Sequence, residues 1–241
     1  MKSTQSALKN RGMASPEELA ACADLPWDQL VGELHSADPC RRTAAARCMD
    51  LRSKSAESAA DLLLEQLSQE KCLYTRLAIC EALEKGTAET AKIMLPWLGR
   101  IGNNQYKALP DKVSAKKSFP LPRDLIARSL ARMDTAVFPL LLQLFNTGSE
   151  QQISEALDAA GFLAFYHPAL ATRENAKQIL RLLHSHSGSE IIEWKVLLCL
   201  SAFPVPEAVQ VLEGYAGRDD IFGKEAERSL RLIKNRAFTQ R

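Results

Sequence analysis

Apolar positions recur along this chain at helical spacing, and they do so in paired stretches. The first stretch of each pair is amphipathic: 27–35, 60–67, 89–98, 136–145, 176–184 and 208–215. The second carries a signature, clearest as Arg42-Ala45-Ala46-Met49, Arg76-Ile79-Cys80-Leu83 and Arg123-Ile126-Ala127-Leu130. Aligned on its first residue, the signature begins at Arg42, Arg76, Arg123, Ile153, Lys195 and Gly223. Three positions on stand Ala45, Ile79, Ile126, Ala156, Leu198 and Ala226, all apolar; seven on stand Met49, Leu83, Leu130, Ala160, Ala202 and Leu230. These two columns are one helical step of four apart and share a buried face. Between them, six on, lies a small column of Cys48, Ala82, Ser129, Ala159, Ser201 and Ser229, which lets neighbouring helices approach closely.

Helix starts punctuate the pattern. Ser15-Pro16-Glu17-Glu18 is a capping box with proline at the first helical position. Asp38 precedes Pro39, Ser189 precedes Glu190, and Val205 precedes Pro206-Glu207. Residues 1–14 show no period and are expected to form a mobile leader. A helix pair cannot bury both its apolar faces alone, so repeats of this kind must stack. The pattern predicts an all-α fold: one solenoid of about six helix pairs over 15–241. It is interrupted by a long insertion at 101–122, where connections of ~2–8 residues are usual in helical assemblies. A segment of that length is either functional or disordered.

The Asp38-Pro39 start followed by Arg42 and Ala45-Ala46 resembles a HEAT repeat, particularly the short HEAT-like (PBS lyase HEAT-like) kind. The resemblance covers roughly residues 24–236, although the fourth to sixth copies lack the arginine. It implies a right-handed α-α superhelix, armadillo-like in architecture, and a scaffold that binds protein on its concave face. Some HEAT-like solenoids are DNA glycosylases acting on alkylated purines, and others are bilin lyase subunits; no residue here speaks to bilin chemistry.

Composition narrows the partner. The chain has 31 basic and 29 acidic residues, a net charge of +2, so bulk charge implies no polyanion. Residues 1–15 lack the apolar core of a secretory signal, and the six cysteines are expected to be free thiols in a reducing, cytoplasmic setting. The longest apolar runs, such as 137–142, fall far short of the ~20 residues that span a bilayer, so no membrane role is expected.

Candidate chemistry is sparse. The repeated arginine suits a structural bond to carbonyls or an acid in a neighbouring repeat better than a basic ladder. Five positions after it stand Arg47, Glu81, Arg128, Asp158, Leu200 and Arg228, one per repeat and expected along the concave face. A nucleic-acid groove wants lysine and arginine with few acids. Alternating signs suit a protein or peptide partner, or salt bridges such as Arg47–Glu81 and Arg128–Asp158. The binding candidates are therefore Arg47, Glu81, Arg128 and Asp158. Tyr106, Lys112, Lys116 and Lys117 on the insertion form a second set.

Nucleic-acid binding, with or without base excision, is the alternative. Trp27, Trp97 and Trp194, with Asp158 or Glu81, would have to supply the cleft. No nucleophile elbow, phosphate loop or close cysteine pair is present, so neither a catalytic residue, a cofactor nor a metal is expected. The oligomeric state is open.

Overall fold

The computed structural model describes residues 4–52 and 56–239, with backbone alone for 237–239. Residues 1–3 of the expected leader, with 53–55 and 240–241, lie outside the described residues. Every regular element among the described residues is helical, and the chain divides into two compact units, 1–101 and 102–241.

The first unit contains α1 (Gln5–Lys9), α2 (Pro16–Ala23), α3 (Trp27–Leu34), α4 (Pro39–Cys48), α5 (Ala56–Gln69), α6 (Leu73–Glu84) and α7 (Ala88–Met94), which runs on into a 3-10 turn at Leu95–Trp97. The capping box at Ser15 forms as the sequence predicts. Asp38 accepts the Cys40 N–H at 2.8 Å, and Pro39 takes the first position of α4. Helix α4 packs on α2, α3 and α6, while α5 packs on α6 and α7.

Residues 4–14, expected to be a mobile leader, form α1 and a tight turn seated on α4 and α6. The Arg11 carbonyl accepts the Tyr74 N–H at 3.0 Å. Gly12 is buried at φ +86°, and a Cβ there would stand 2.6 Å from Thr75 Oγ1. A left-handed backbone and that close approach both require glycine. Long-range contact orders this stretch, and no periodicity announces it.

The second unit opens with a helix-free segment. It continues through α8 (Leu125–Leu130), α9 (Phe138–Leu144, entered from a 3-10 turn at Thr135–Val137), α10 (Glu150–Tyr166), α11 (Arg173–Ser185), α12 (Glu190–Leu200), α13 (Pro206–Tyr215) and α14 (Ile221–Thr239). Helix α10 packs between α8 and α12, and α12 between α10 and α14; α11 lies between α9 and α13 in a second row. The signature helices thus form one row and their amphipathic partners the other.

All six residues of the three-on column are buried. The small column does what its size suggests: Ser229 Oγ donates to the Leu197 carbonyl across the α12–α14 contact at 2.9 Å. The third amphipathic helix, α7, belongs to the first unit, and its signature helix, α8, to the second.

Candidate functional site

The helix-free segment 102–122 is seated on the signature helices of its own unit. Phe119, 2% exposed, enters a slot that exists because α10 carries Gly161, where a Cβ would stand 2.3 Å from the phenyl ring. Phe165 and Phe162 flank that ring at 5.9 and 6.5 Å between centroids.

Arginines of α8 and α14 then hold the segment by its backbone. Arg228, only 3% exposed, donates Nε to the Ser114 carbonyl at 2.8 Å and Nη2 to those of Ser118 and Lys116 at 2.9 and 3.2 Å. Its Nη1 meets Glu225 at 2.9 Å. Arg128 Nε donates to the Pro122 carbonyl at 2.9 Å. Guanidinium donors are ionised, so each such bond is stronger than a neutral one. Asp124, fully buried, caps α8 through the Ala127 N–H and accepts Gln105 Nε2 at 2.7 Å.

Between this strap and the helices lies a cavity of about 270 Å³. Tyr106 and Trp194 form one wall, edge to face at 4.9 Å, with the Arg123 guanidinium 4.3 Å over the tyrosine ring. Lys112, Lys116 and Arg123 stand at the rim; Asp158, Glu225 and Leu198 come from the helices. Trp194 donates Nε1 to Glu225 at 3.2 Å.

Behind the floor is a buried charge cluster. Lys195 Nζ, wholly inaccessible, lies 2.9 Å from Glu155 Oε1 and 3.0 Å from Asp158 Oδ2. Glu155 Oε2 is buried with no hydrogen-bond partner. Burial, reinforced by the neighbouring Asp158 charge and opposed by Lys195, pushes the Glu155 carboxyl up to about 7. Burial also raises Asp158 and Glu225, against the pull of Lys195 and Arg228 respectively. Burial alone would lower Lys195, but its two carboxylate neighbours outweigh it and hold the ammonium charged.

The four column residues proposed from sequence separate by unit. Arg47 and Glu81 are exposed on α4 and α6, 3.5 Å apart as an ion pair across the repeat. That separation and exposure make the pair worth little. Arg128 and Asp158 do not pair with each other in the bonds described; Arg128 takes a strap carbonyl and Asp158 takes Lys195. Tyr106, Lys112 and Lys116 meet around the cavity, whereas Lys117 is exposed and does not line it.

The repeated arginine has no common partner. Arg42 makes a two-bond ion pair with Glu70 and bonds the Ser36 and Ala37 carbonyls; Arg76 buries an Nε without a hydrogen bond; Arg123 stacks on Tyr106. Sequence reasoning aligned Lys195 with the signature arginines and passed over Glu155 and Glu225. The available signal was a lysine inside an otherwise apolar stretch, 194–200, where a buried charge demands a buried partner.

Trp194 and Asp158 do share one cavity, but Trp194 is 4% exposed and packed by Tyr106, and Asp158 is held by Lys195. Among the described residues there is no group of three or more histidine, cysteine or acidic side chains able to hold a metal, and the six cysteines are thiols. No helix among the described residues is long and apolar enough to cross a membrane.

No protein-family model matches the chain, and no curated protein matches it. Among solved structures it is similar to a designed armadillo repeat protein, YIII(Dq)4CqI, at 16% identity and a TM-score of 0.38, covering 86% of this chain and all of that one.

Proposed function

We propose that this protein is a non-catalytic scaffold that binds an extended protein segment along the exposed face of α4 and α6, and that its helix pairs are of the HEAT-like kind. The observation that carries this is the strap. In the second unit, Arg128 and Arg228, five positions into their signatures, grip the backbone carbonyls of a helix-free stretch of the protein's own chain. The corresponding residues of the first unit, Arg47 and Glu81, are exposed. Beside them Leu73 and Leu77 are 41% and 45% exposed, and on α6 they stand two turns and one turn before Glu81 in a single stripe. Polar groups at helical spacing beside apolar anchors are what a solenoid uses to hold a peptide in extended form.

The test is selection of a displayed peptide library on the full-length protein, followed by titration of the enriched peptides. A variant carrying L73E, L77E and E81R should lose those peptides while keeping its melting temperature, because all three side chains are exposed. Peptides that bind the variant as well as the wild type would overturn the assignment. The mixed charge of the column also argues against a phosphate-backbone groove. Duplex DNA at low ionic strength should therefore show no saturable binding.

A further inference from the structure

We infer that the cavity beneath the strap is a binding site for a small organic anion, a phosphate or carboxylate compound that also carries an ammonium or hydroxyl donor. This goes beyond the scaffold assignment and uses the other unit. Three cations line the cavity: Lys112 and Lys116 are exposed and take part in none of the ion pairs described, and Arg123 stacks on Tyr106 with its charge also acting on Asp158. Lys112 and Lys116 have no structural task in the strap, which is held through its carbonyls, Phe119 and the stack of Arg123 on Tyr106, so their charge is left to raise the local concentration of anions.

The floor specifies the rest of the ligand. Asp158 accepts from Lys195 through Oδ2 and lines the cavity, and its carboxyl oxygens have lone pairs for a further donor. Behind it the cluster already holds Glu155 Oε2 without a hydrogen bond. A purely anionic ligand would meet Asp158 and Glu225, the two carboxyls that line the cavity, with nothing to give them. A ligand with its anionic end at the lysines and a donor toward Asp158 satisfies both. Leu198, Pro120 and Leu121 leave a short apolar stretch between the two ends. At about 270 Å³ the space lies just under the ~300–1,000 Å³ range of drug-sized pockets, which suits a compound of metabolite size.

The probes are O-phosphoserine, phosphoglycolate, which has the two anionic groups and no donor, and inorganic phosphate. They are titrated into the full-length protein labelled with 5-fluorotryptophan. Of the three tryptophan resonances, assigned with W27F and W97F, only that of Trp194 in the cavity wall should move saturably. O-phosphoserine should bind roughly tenfold more tightly than phosphoglycolate, the worth of one charge-assisted hydrogen bond. K112E/K116E should abolish the shift, and the milder K112Q/K116Q should weaken it; both lysines are exposed, so the melt should be unchanged. A Trp194 resonance that ignores O-phosphoserine overturns the inference. So does equal affinity for O-phosphoserine and phosphoglycolate, or a shift that survives in K112E/K116E.

Discussion

Glu70 accepts hydrogen bonds from Arg42, Gln66 and the backbone N–H groups of Lys71 and Cys72. Burial alone would raise its carboxyl, but these bonds outweigh burial and hold it at about 2, against an ordinary 4.5. The unfolded chain therefore takes up this proton first as the solution is acidified. The stabilisation is complete above pH ~4.5 and is lost as pH falls toward 2, on the order of 2–3 kcal/mol in all. Urea unfolding of E70Q should show that loss at neutral pH and a flatter profile below pH 5. Glu155 works in the opposite sense. Its carboxyl is raised to about 7, so the folded state holds the proton more tightly, and the benefit present below pH ~4.5 disappears as pH rises through 7. Stability should decline between pH 5 and pH 8, and E155Q should reduce that slope. Asp158 and Glu225, raised for the same reason, keep it from vanishing. Of these residues the sequence displayed only Asp158, because a charge column is periodic, whereas a buried ion pair such as Lys195–Glu155 joins residues 40 apart with no repeating mark.

At the scale of elements, the helix pairs were legible because each is written locally. Apolar residues three and seven after the signature start are buried in all six copies apart from the partly exposed Leu230. The strap was illegible for the complementary reason. It makes no helical ladder, so its order comes from residues such as Arg228, more than a hundred positions away. Two substitutions that leave the strap's own sequence intact should loosen it. G161A places a methyl group where the Phe119 ring sits, and overpacking of this kind costs about 1–3 kcal/mol. Hydrogen exchange at 114–119 should accelerate while the α12 amides stay protected. R228M removes three carbonyl bonds and leaves Glu225 buried without its cationic partner, a change that costs about 3–5 kcal/mol. The same amides should then exchange still faster. Unchanged exchange in both variants would mean that the strap is held by something other than Phe119 and Arg228.

For the molecule as a whole, self-similarity led to one solenoid over 15–241, whereas the contacts fall into two units that divide at 101 and 102. Repeat counting registers how often a helix pair recurs, but it cannot tell which pairs a long insertion will join. Here the insertion belongs with the second unit, together with the cavity, the charge cluster and the row α8, α10, α12, α14. A fragment of residues 102–241 should therefore melt cooperatively and retain the environment of Trp194, as fluorescence and circular dichroism would report. The mode of attachment of the strap has a consequence for how freely its sequence can be rewritten. Arg228 reads carbonyl oxygens at Ser114, Lys116 and Ser118, and every amino acid, proline included, presents a carbonyl. In a saturation-mutagenesis survey scored for folding, these three positions should accept most replacements, while Phe119 tolerates few. Over 114–118 the strap is in effect a cassette: Phe119 gives its address, and the text before it is open to exchange as far as folding goes, so new recognition loops could be grafted there without rebuilding the helices beneath.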